Sequence, residues 1–379
     1  MSLFTVISVF CAVSCLFYVL IIGVFTLGWF RLKSFTQNKN DKFETISVIV
    51  PFRNEENFLP DFLESLLYQC YPPQFLEIIL VDDHSTDSGV EIVQHFIEYK
   101  KLSNFILLRL SESDGLSKKA ALKKGIEHSH GELIVTTDAD CTMGNNWLNT
   151  IVSFYHKENC ALISAPVMIK PEKSFFSKIQ TLEFFSLVGC GAGAISVNTP
   201  FLANGANLIF ERNLYDELQG YSSHIEYTSG DDVFMLIKAK KNHKIGFLKD
   251  YKSAVFTKGS MSLKHFFYQR VRWASKSKGY HDTIALTTTL SVFLFNMSIV
   301  ATIVLSFYNY HFLLLCGLLF LIKAIIDFPL LLGVSVFFKS TKMMWFYSPM
   351  QVLYPFYIVT TAVLSLFISF EWKGRKHRQ

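Results

Sequence analysis

Leu133-Ile134-Val135-Thr136-Thr137-Asp138-Ala139-Asp140 is an apolar, β-branched run that ends in two carboxylates one residue apart. Its length and composition predict a buried strand, and a strand that delivers Asp138 and Asp140 at its exit supplies oxygen ligands for a hard divalent cation. Aspartates after strands also form turns and cap helices, so the pair alone leaves both readings open.

On either side of this run the pattern repeats. Ile46 to Phe52, Phe75 to Val81 and Phe105 to Leu110 read as strands, and Phe58 to Cys70, Val90 to Lys100 and Ser117 to His128 read as helices between them. This alternation predicts an α/β domain over residues 44–258. Its central sheet should be mostly parallel, covered on both faces, and should bind ligands at the carboxyl ends of the strands. After Asp140 the alternation loosens, as expected of a half that adapts to a second substrate.

The 379-residue chain is half hydrophobic and carries 37 phenylalanines, too apolar for an ordinary soluble domain. The excess lies at the ends. Residues 1–30 hold an uncharged stretch, Leu3 to Phe30, long enough to cross a bilayer, which needs roughly 20 apolar residues. The basic linker over residues 31–43, with Arg31, Lys33, Lys39 and Lys42, places the middle of the chain in the cytoplasm by the positive-inside rule. The expected location is therefore a bacterial inner membrane with the α/β domain on its cytoplasmic side.

Residues 284–370 contain three further spanning stretches, 284–308, 312–338 and 345–370, and residues 371–379 form a basic tail running from Lys373 to Arg378. Three crossings put that tail outside, whereas a re-entrant middle stretch returns it to the cytoplasm. The middle stretch carries Lys323 and Asp327 four residues apart, spaced to pair on one helical turn. Phe175 to Val197, apolar and containing Gly189, Gly191 and Gly193, reads as a helix lying against the membrane. Residues 259–283 read as an aromatic and basic interfacial helix. Seven cysteines without a C-x-x-C pair fit a reducing compartment and argue against a disulfide framework or a zinc site. The net charge of +5 is concentrated beside the apolar stretches and favours anionic lipid over nucleic acid as a partner.

The first strand ends in Pro51-Phe52-Arg53-Asn54-Glu55-Glu56 and the second in Val81-Asp82-Asp83-His84-Ser85-Thr86-Asp87. Both put polar groups on the edge that carries Asp138 and Asp140. Glu55 and Asp82 suit hydrogen bonds to a uracil ring and ribose. His84 reads as a turn residue. With these motifs in order, the chain from Ile46 to Trp273 resembles the inverting family 2 glycosyltransferases of GT-A fold, in their membrane-anchored branch.

The resemblance implies residue roles. The family's P-x-x-N-E and D-D-x-S-x-D patterns make Pro51, Arg53, Glu55, Asp82 and Asp83 nucleotide-binding positions. Its G-K-x-x-A-L stretch appears as Ser117 to Leu122, which makes Lys118 a phosphate or sugar contact and puts serine where glycine is usual. Asp138 and Asp140 become donor-binding and metal positions for Mg2+ or Mn2+. Ser229-Gly230-Asp231-Asp232 occupies the place of the family's acidic pair and makes Asp232 the catalytic base. Asp231, where the family has glutamate, is its neighbour and a candidate helix cap. Gln269-Arg270-Val271-Arg272-Trp273 matches Q-x-x-R-W, whose Gln269, Arg272 and Trp273 share one helical face and suit a diphosphate and a sugar ring. Gly205 and Asn207, in a glycine-containing turn, are acceptor-site candidates.

These readings point to a membrane-bound, metal-dependent, inverting hexosyltransferase. It would move a sugar from a nucleotide-diphospho-sugar, expected to be a UDP-sugar, to a lipid or lipid-linked acceptor hydroxyl. A processive polysaccharide synthase, working as a homo-oligomer or with an export partner, is the alternative within the same chemistry. A non-catalytic nucleotide-binding scaffold or transporter subunit, with Lys323 and Asp327 on an ion path, is the alternative of another class.

Overall fold

The computed structural model describes residues 2–36, 42–220, 231–275, 282–367, 370–372 and 375–377. By internal contact the chain divides into two compact units. One comprises Lys33–Lys170 and Ala203–Lys258, the other Met1–Leu32, Pro171–Leu202 and Gly259–Gln379. Residues 171–202 thus leave the continuous domain expected over 44–258 and join the apolar unit. Lys39, Ser229, Gly230, residues 276–281, Lys373 and Arg378 lie outside the described residues.

The first unit is an α/β domain. Its strands in chain order are β1 Ile46–Phe52, β2 Leu76–Asp82, β3 Phe105–Arg109, β4 Leu133–Thr136, β5 Thr142–Met143, β6 Leu162–Ser164, β7 Val167–Ile169, β8 Leu208–Glu211, β9 Ile245–Phe247 and β10 Val255–Thr257. Seven form one sheet of order β3-β2-β1-β4-β8-β6-β9, and β5, β10 and β7 form a second, small one. β1, β2, β3 and β4 pair in parallel, while β8 runs antiparallel to both β4 and β6. The sheet is mostly parallel, as the alternation predicts. Helices Leu59–Leu67, Gly89–Lys100 and Lys118–Glu127 fall where amphipathic stretches separate the strands. β1 is buried at every position, as its unbroken apolar run requires of a strand covered on both faces.

Pro51 sits inside β1, in register with Val81. The Ile49 carbonyl accepts from Thr137 N on the β4 side and the Phe52 carbonyl from Asp83 N on the β2 side. That alternation turns the Pro51 nitrogen toward β4, past its last paired residue, Thr136. The missing N–H is not called on there.

Among the described residues the second unit holds five helices long and apolar enough to cross a membrane: Leu3–Arg31, Phe175–Ser196, Thr283–Leu305, His311–Phe337 and Thr341–Phe367. The last opens with a 3-10 segment, Thr341–Phe346. Phe175–Ser196 packs backbone to backbone on Leu3–Arg31. A Cβ at Gly28 would fall 2.2 Å from the Gly193 carbonyl oxygen, and one at Gly193 would fall 2.1 Å from that of Phe25. Only glycine permits this approach, the packing that replaces hydrophobic driving force where helices meet in lipid. Lys323 and Asp327 pair as their spacing predicts, Nζ to Oδ2 at 2.5 Å, and both are buried. Gln351 accepts from Lys323 at 2.7 Å and donates to Asp327 at 3.2 Å, and the Tyr18 hydroxyl donates to Asp327 at 2.6 Å. Each charge thereby has several partners, which is what makes burial of the pair tolerable.

Candidate active site at the carboxyl edge of the sheet

The loops after β1 and β2 are laced together. Arg53 Nη1 donates to the carbonyls of Asp83 and His84 at 2.6 Å each. Asn54 N donates to Ser85 Oγ at 3.1 Å, Thr86 N donates to Asn54 Oδ1 at 2.8 Å, and Glu56 N donates to Asp87 Oδ2 at 2.9 Å. Asn54 and His84 take positive φ, 52° and 56°, so both loops turn sharply. Arg53, expected at the nucleotide, braces one loop on the other. Asp82 and Asp83 are 5% and 1% exposed, and Asp82 Oδ1 accepts from Ser85 N at 3.0 Å. Glu55 is half-buried, and its carbonyl accepts from Phe58 and Leu59 as the next helix begins. Asn54 and Asp87, fixed positions of the two quoted motifs, thus lace the loops together with Glu56.

Ser117, where the family has glycine, is extended, with φ −162° and ψ 155°, a conformation open to any residue. Its hydroxyl accepts from Ala120 N at 3.1 Å and caps the helix that Lys118 opens. The serine therefore replaces a glycine without strain and adds a cap. Lys118 reaches from this helix start to an ion pair with Asp138, just past β4.

Asp138 and Asp140 are half-buried on either side of the buried Ala139. Asp140 Oδ2 accepts from the Thr257 hydroxyl at 3.1 Å, so β10 fixes this carboxylate. Cys141 is buried against it, and burial together with the charges of Asp140 and Asp138 pushes its thiol well above the usual range.

Among the described residues no three His, Cys, Asp or Glu side chains gather into a ready metal cage. The donors present are carboxylate and hydroxyl oxygens, with Asp138 already facing an ammonium. This set fits a hard divalent ion held by one or two carboxylates and completed by phosphate oxygens, the usual arrangement for Mg2+ or Mn2+ on a nucleotide.

Asp232, in the first turn of helix Asp231–Ala239, is reached from the same strand. Thr136, the last residue of β4, donates its hydroxyl to the Gly205 carbonyl at 2.8 Å. The Gly205 N–H in turn donates to Asp232 Oδ2 at 3.0 Å. Oδ1 of Asp232 accepts from Val233 N at 2.8 Å. The strand that presents Asp138 and Asp140 thus also orients Asp232, through a glycine. Thr136 and Thr257 were not singled out from the sequence either, since a threonine in a strand reads as a propensity rather than as a hydroxyl.

Asn207 requires a correction. It is fully buried; its Nδ2 donates to the carbonyls of Pro166 and Ser253 at 2.8 Å each, and its Oδ1 accepts from Trp147 Nε1 at 3.1 Å. Every polar group of this amide is taken up inside the fold, so Asn207 is a structural pin and not an acceptor contact. Gly205, two residues earlier, meets Asp232 through its backbone N–H.

The Gln269 to Trp273 motif lies in the apolar unit, on helix Leu263–Ser275. Gln269 and Trp273 are half-buried there, as is Arg272. Arg270, a variable position of the motif, is 3% exposed and forms an ion pair with Glu183. Neither Arg270 nor Glu183 stood out in the sequence.

Residues 47–224 match the family model described as Glycosyl transferase family 2. Among curated proteins, a poly-beta-1,6-N-acetyl-D-glucosamine synthase of Staphylococcus epidermidis is 26% identical over 341 residues, covering 85% of this chain and 76% of its own length. A synthase of the same description from Staphylococcus aureus is 29% identical over 151 residues, covering 40% of this chain and 35% of its own. Among solved structures, a mannosyltransferase from Pyrobaculum calidifontis in complex with GDP-Man and Mn2+ superposes with a TM-score of 0.63. That match covers 94% of this chain and 99% of the other at 17% identity, a likeness of fold.

Proposed function

We propose that this chain, a family 2 glycosyltransferase by its residues 47–224, elongates a polysaccharide at a membrane, adding sugars from a UDP-sugar of the N-acetylglucosamine type with inversion at the anomeric carbon. The observation that carries the chemistry is the linkage of Asp232 to β4 through Gly205 and Thr136, which gives a carboxylate of fixed orientation beside the strand that bears Asp138 and Asp140. The polymer is favoured by the Staphylococcus epidermidis synthase, whose match to 85% of this chain is too long to be the sheet-bearing domain alone. A lipid acceptor would find its apolar surface in the stretch from Phe175. That stretch is a helix packed at Gly193 and Gly28, so its apolar character has an explanation that needs no bound lipid.

In this reading Asp232 takes the proton of an acceptor hydroxyl, and the hydroxyl oxygen bonds to the anomeric carbon as the bond to the diphosphate breaks on the opposite face. The electron pair leaves with UDP. Lys118, at a helix start, exchanges its Asp138 partner for the phosphate oxygens and stabilises their charge. A divalent ion bound by Asp140, with Asp138, would neutralise the diphosphate as a Lewis acid. Arg272 and Trp273 are assigned to diphosphate and sugar ring by their chemistry, and Arg272→Lys should raise the donor KM. Arg31, Lys33 and Lys42, following the first apolar helix, support a cytoplasmic transferase unit at the bacterial plasma membrane.

Purified full-length chain supplied with UDP-N-acetylglucosamine and a divalent ion tests this reading by product length. A ladder of β-linked oligosaccharides is the expected result. A single sugar on an extracted lipid would overturn polymerisation in favour of simple transfer, and no turnover with any nucleotide sugar would overturn both.

A further inference from the structure

Helix Phe175–Ser196 presents Gln180 and Glu183, one turn apart, to the segment that carries Gln269 and Trp273. Gln180, 1% exposed, makes a reciprocal pair with the Ser260 backbone: its Nε2 donates to the carbonyl and its Oε1 accepts from the N–H, both at 2.9 Å. Glu183, 5% exposed, forms the ion pair with Arg270 and accepts from the Tyr357 hydroxyl at 3.2 Å.

The Arg270 guanidinium lies 4.0 Å from the centre of the Trp273 ring and 4.8 Å from that of Phe266. Gln269 Oε1 accepts from Ser260 Oγ and from Arg270 Nη1, each at 3.3 Å. Two of the motif's side chains therefore take their orientation from groups that helix Phe175–Ser196 holds. A buried ion pair is a poor device for stability alone, because well-packed apolar residues of the same volume hold helices together as well or better. What a guanidinium adds is a rigid plane, fixed by a carboxylate on its edge and by aromatic rings on its faces.

We propose that Arg270 and Glu183 are positioning residues for the transfer reaction, setting the plane of Trp273 and the amide of Gln269 without touching substrate. The proposal rests on the transferase reading above. Removing one partner would leave a buried charge and confuse folding with function, so the test is the neutral double variant Glu183→Gln/Arg270→Gln in the full-length protein.

The expected result is a kcat lowered about 100-fold, the scale of a misplaced reacting group, with the thermal midpoint in the native range. Adding Trp273→Leu should lower kcat no further, because the ring is already misplaced. A kcat within about twofold of native, or a loss that multiplies with that of Trp273→Leu, would overturn the proposal. If the double variant does not fold, Arg270→Lys carries the same readout, since it keeps the charge beside Glu183 and removes the plane and the donor to Gln269. A native chain without turnover on any nucleotide sugar overturns the transferase reading and this proposal with it. An active native chain whose variant keeps its kcat overturns this proposal alone.

Discussion

The backbone N–H of Gly205 donates to Oδ2 of Asp232 at 3.0 Å, and a Cβ on Gly205 would stand 3.6 Å from the same carboxylate, an ordinary contact. The two relations separate the roles of that glycine. Gly205→Ala keeps the donor and should hold kcat within about threefold of native, whereas Gly205→Pro removes it and should lower kcat at least about 10-fold. Asn204 before it is already extended, with φ −123° and ψ 115°, as a residue preceding proline must be, and the proline ring, standing where the N–H points, also pushes the Asp232 carboxylate out of place. Steady-state kinetics of the two variants checks the contrast, and equal rates would remove Gly205 from the positioning of Asp232.

Thr136 supplies the other half of that linkage. Thr136→Val keeps the buried shape and deletes the hydroxyl that binds the Gly205 carbonyl at 2.8 Å. A buried hydrogen bond left half-made costs about 1–3 kcal/mol, so denaturant unfolding should report a loss of that size together with a lower kcat. A loss of stability at unchanged kcat would make Thr136 structural only.

Asp140 is the carboxylate that Thr257 fixes and that a divalent ion would use. Chelation should stop transfer by the native chain, and Mn2+ should restore it. Asp140→Ala should need far more Mn2+ for half-maximal rate, or fail to recover at all. Titration of rate against Mn2+ distinguishes this from the null outcome of an unchanged midpoint.

Glu77 offers a pH test away from the site. Burial alone would raise its carboxyl, but hydrogen bonds from the Ser47 hydroxyl and from the N–H groups of His130 and Gly131 outweigh it and hold the group below its ordinary 4.5. A carboxylate depressed in the folded state contributes stability that is present above pH 4.5 and is lost as pH falls through the folded value. Glu77→Gln should therefore lower stability at neutral pH and flatten the acid limb below 4.5. Unfolding midpoints across that range provide the measurement, and parallel curves for the two proteins would contradict it.

The sheet was legible because its strands are continuous apolar runs. The run expected over Ile46 to Phe52 forms over those same residues, and the strand expected from Leu133 onward ends at Thr136, two residues before Asp138. The place of helix Phe175–Ser196 was not legible. Gln180 and Glu183 dilute its apolar character, and their partners Ser260 and Arg270 lie some eighty residues on. Asn207 misled for the same reason: a Gly-x-Asn turn looks like an open loop until Trp147, Pro166 and Ser253 close on its amide. The motifs could be read locally, whereas the contacts of Thr136 with Gly205, Thr257 with Asp140 and Arg270 with Glu183 are long-range and no local pattern carries them.

The most direct test of the account is turnover by purified Asp232→Asn, which keeps the size of the side chain and removes the base. Transfer from UDP-N-acetylglucosamine should fall by about 10²–10⁴-fold, the contribution of a positioned general base, while Mn2+-dependent UDP binding stays within about threefold of native. Transfer at the native rate would contradict the assignment of Asp232 as the base and, with it, the mechanism built on β4.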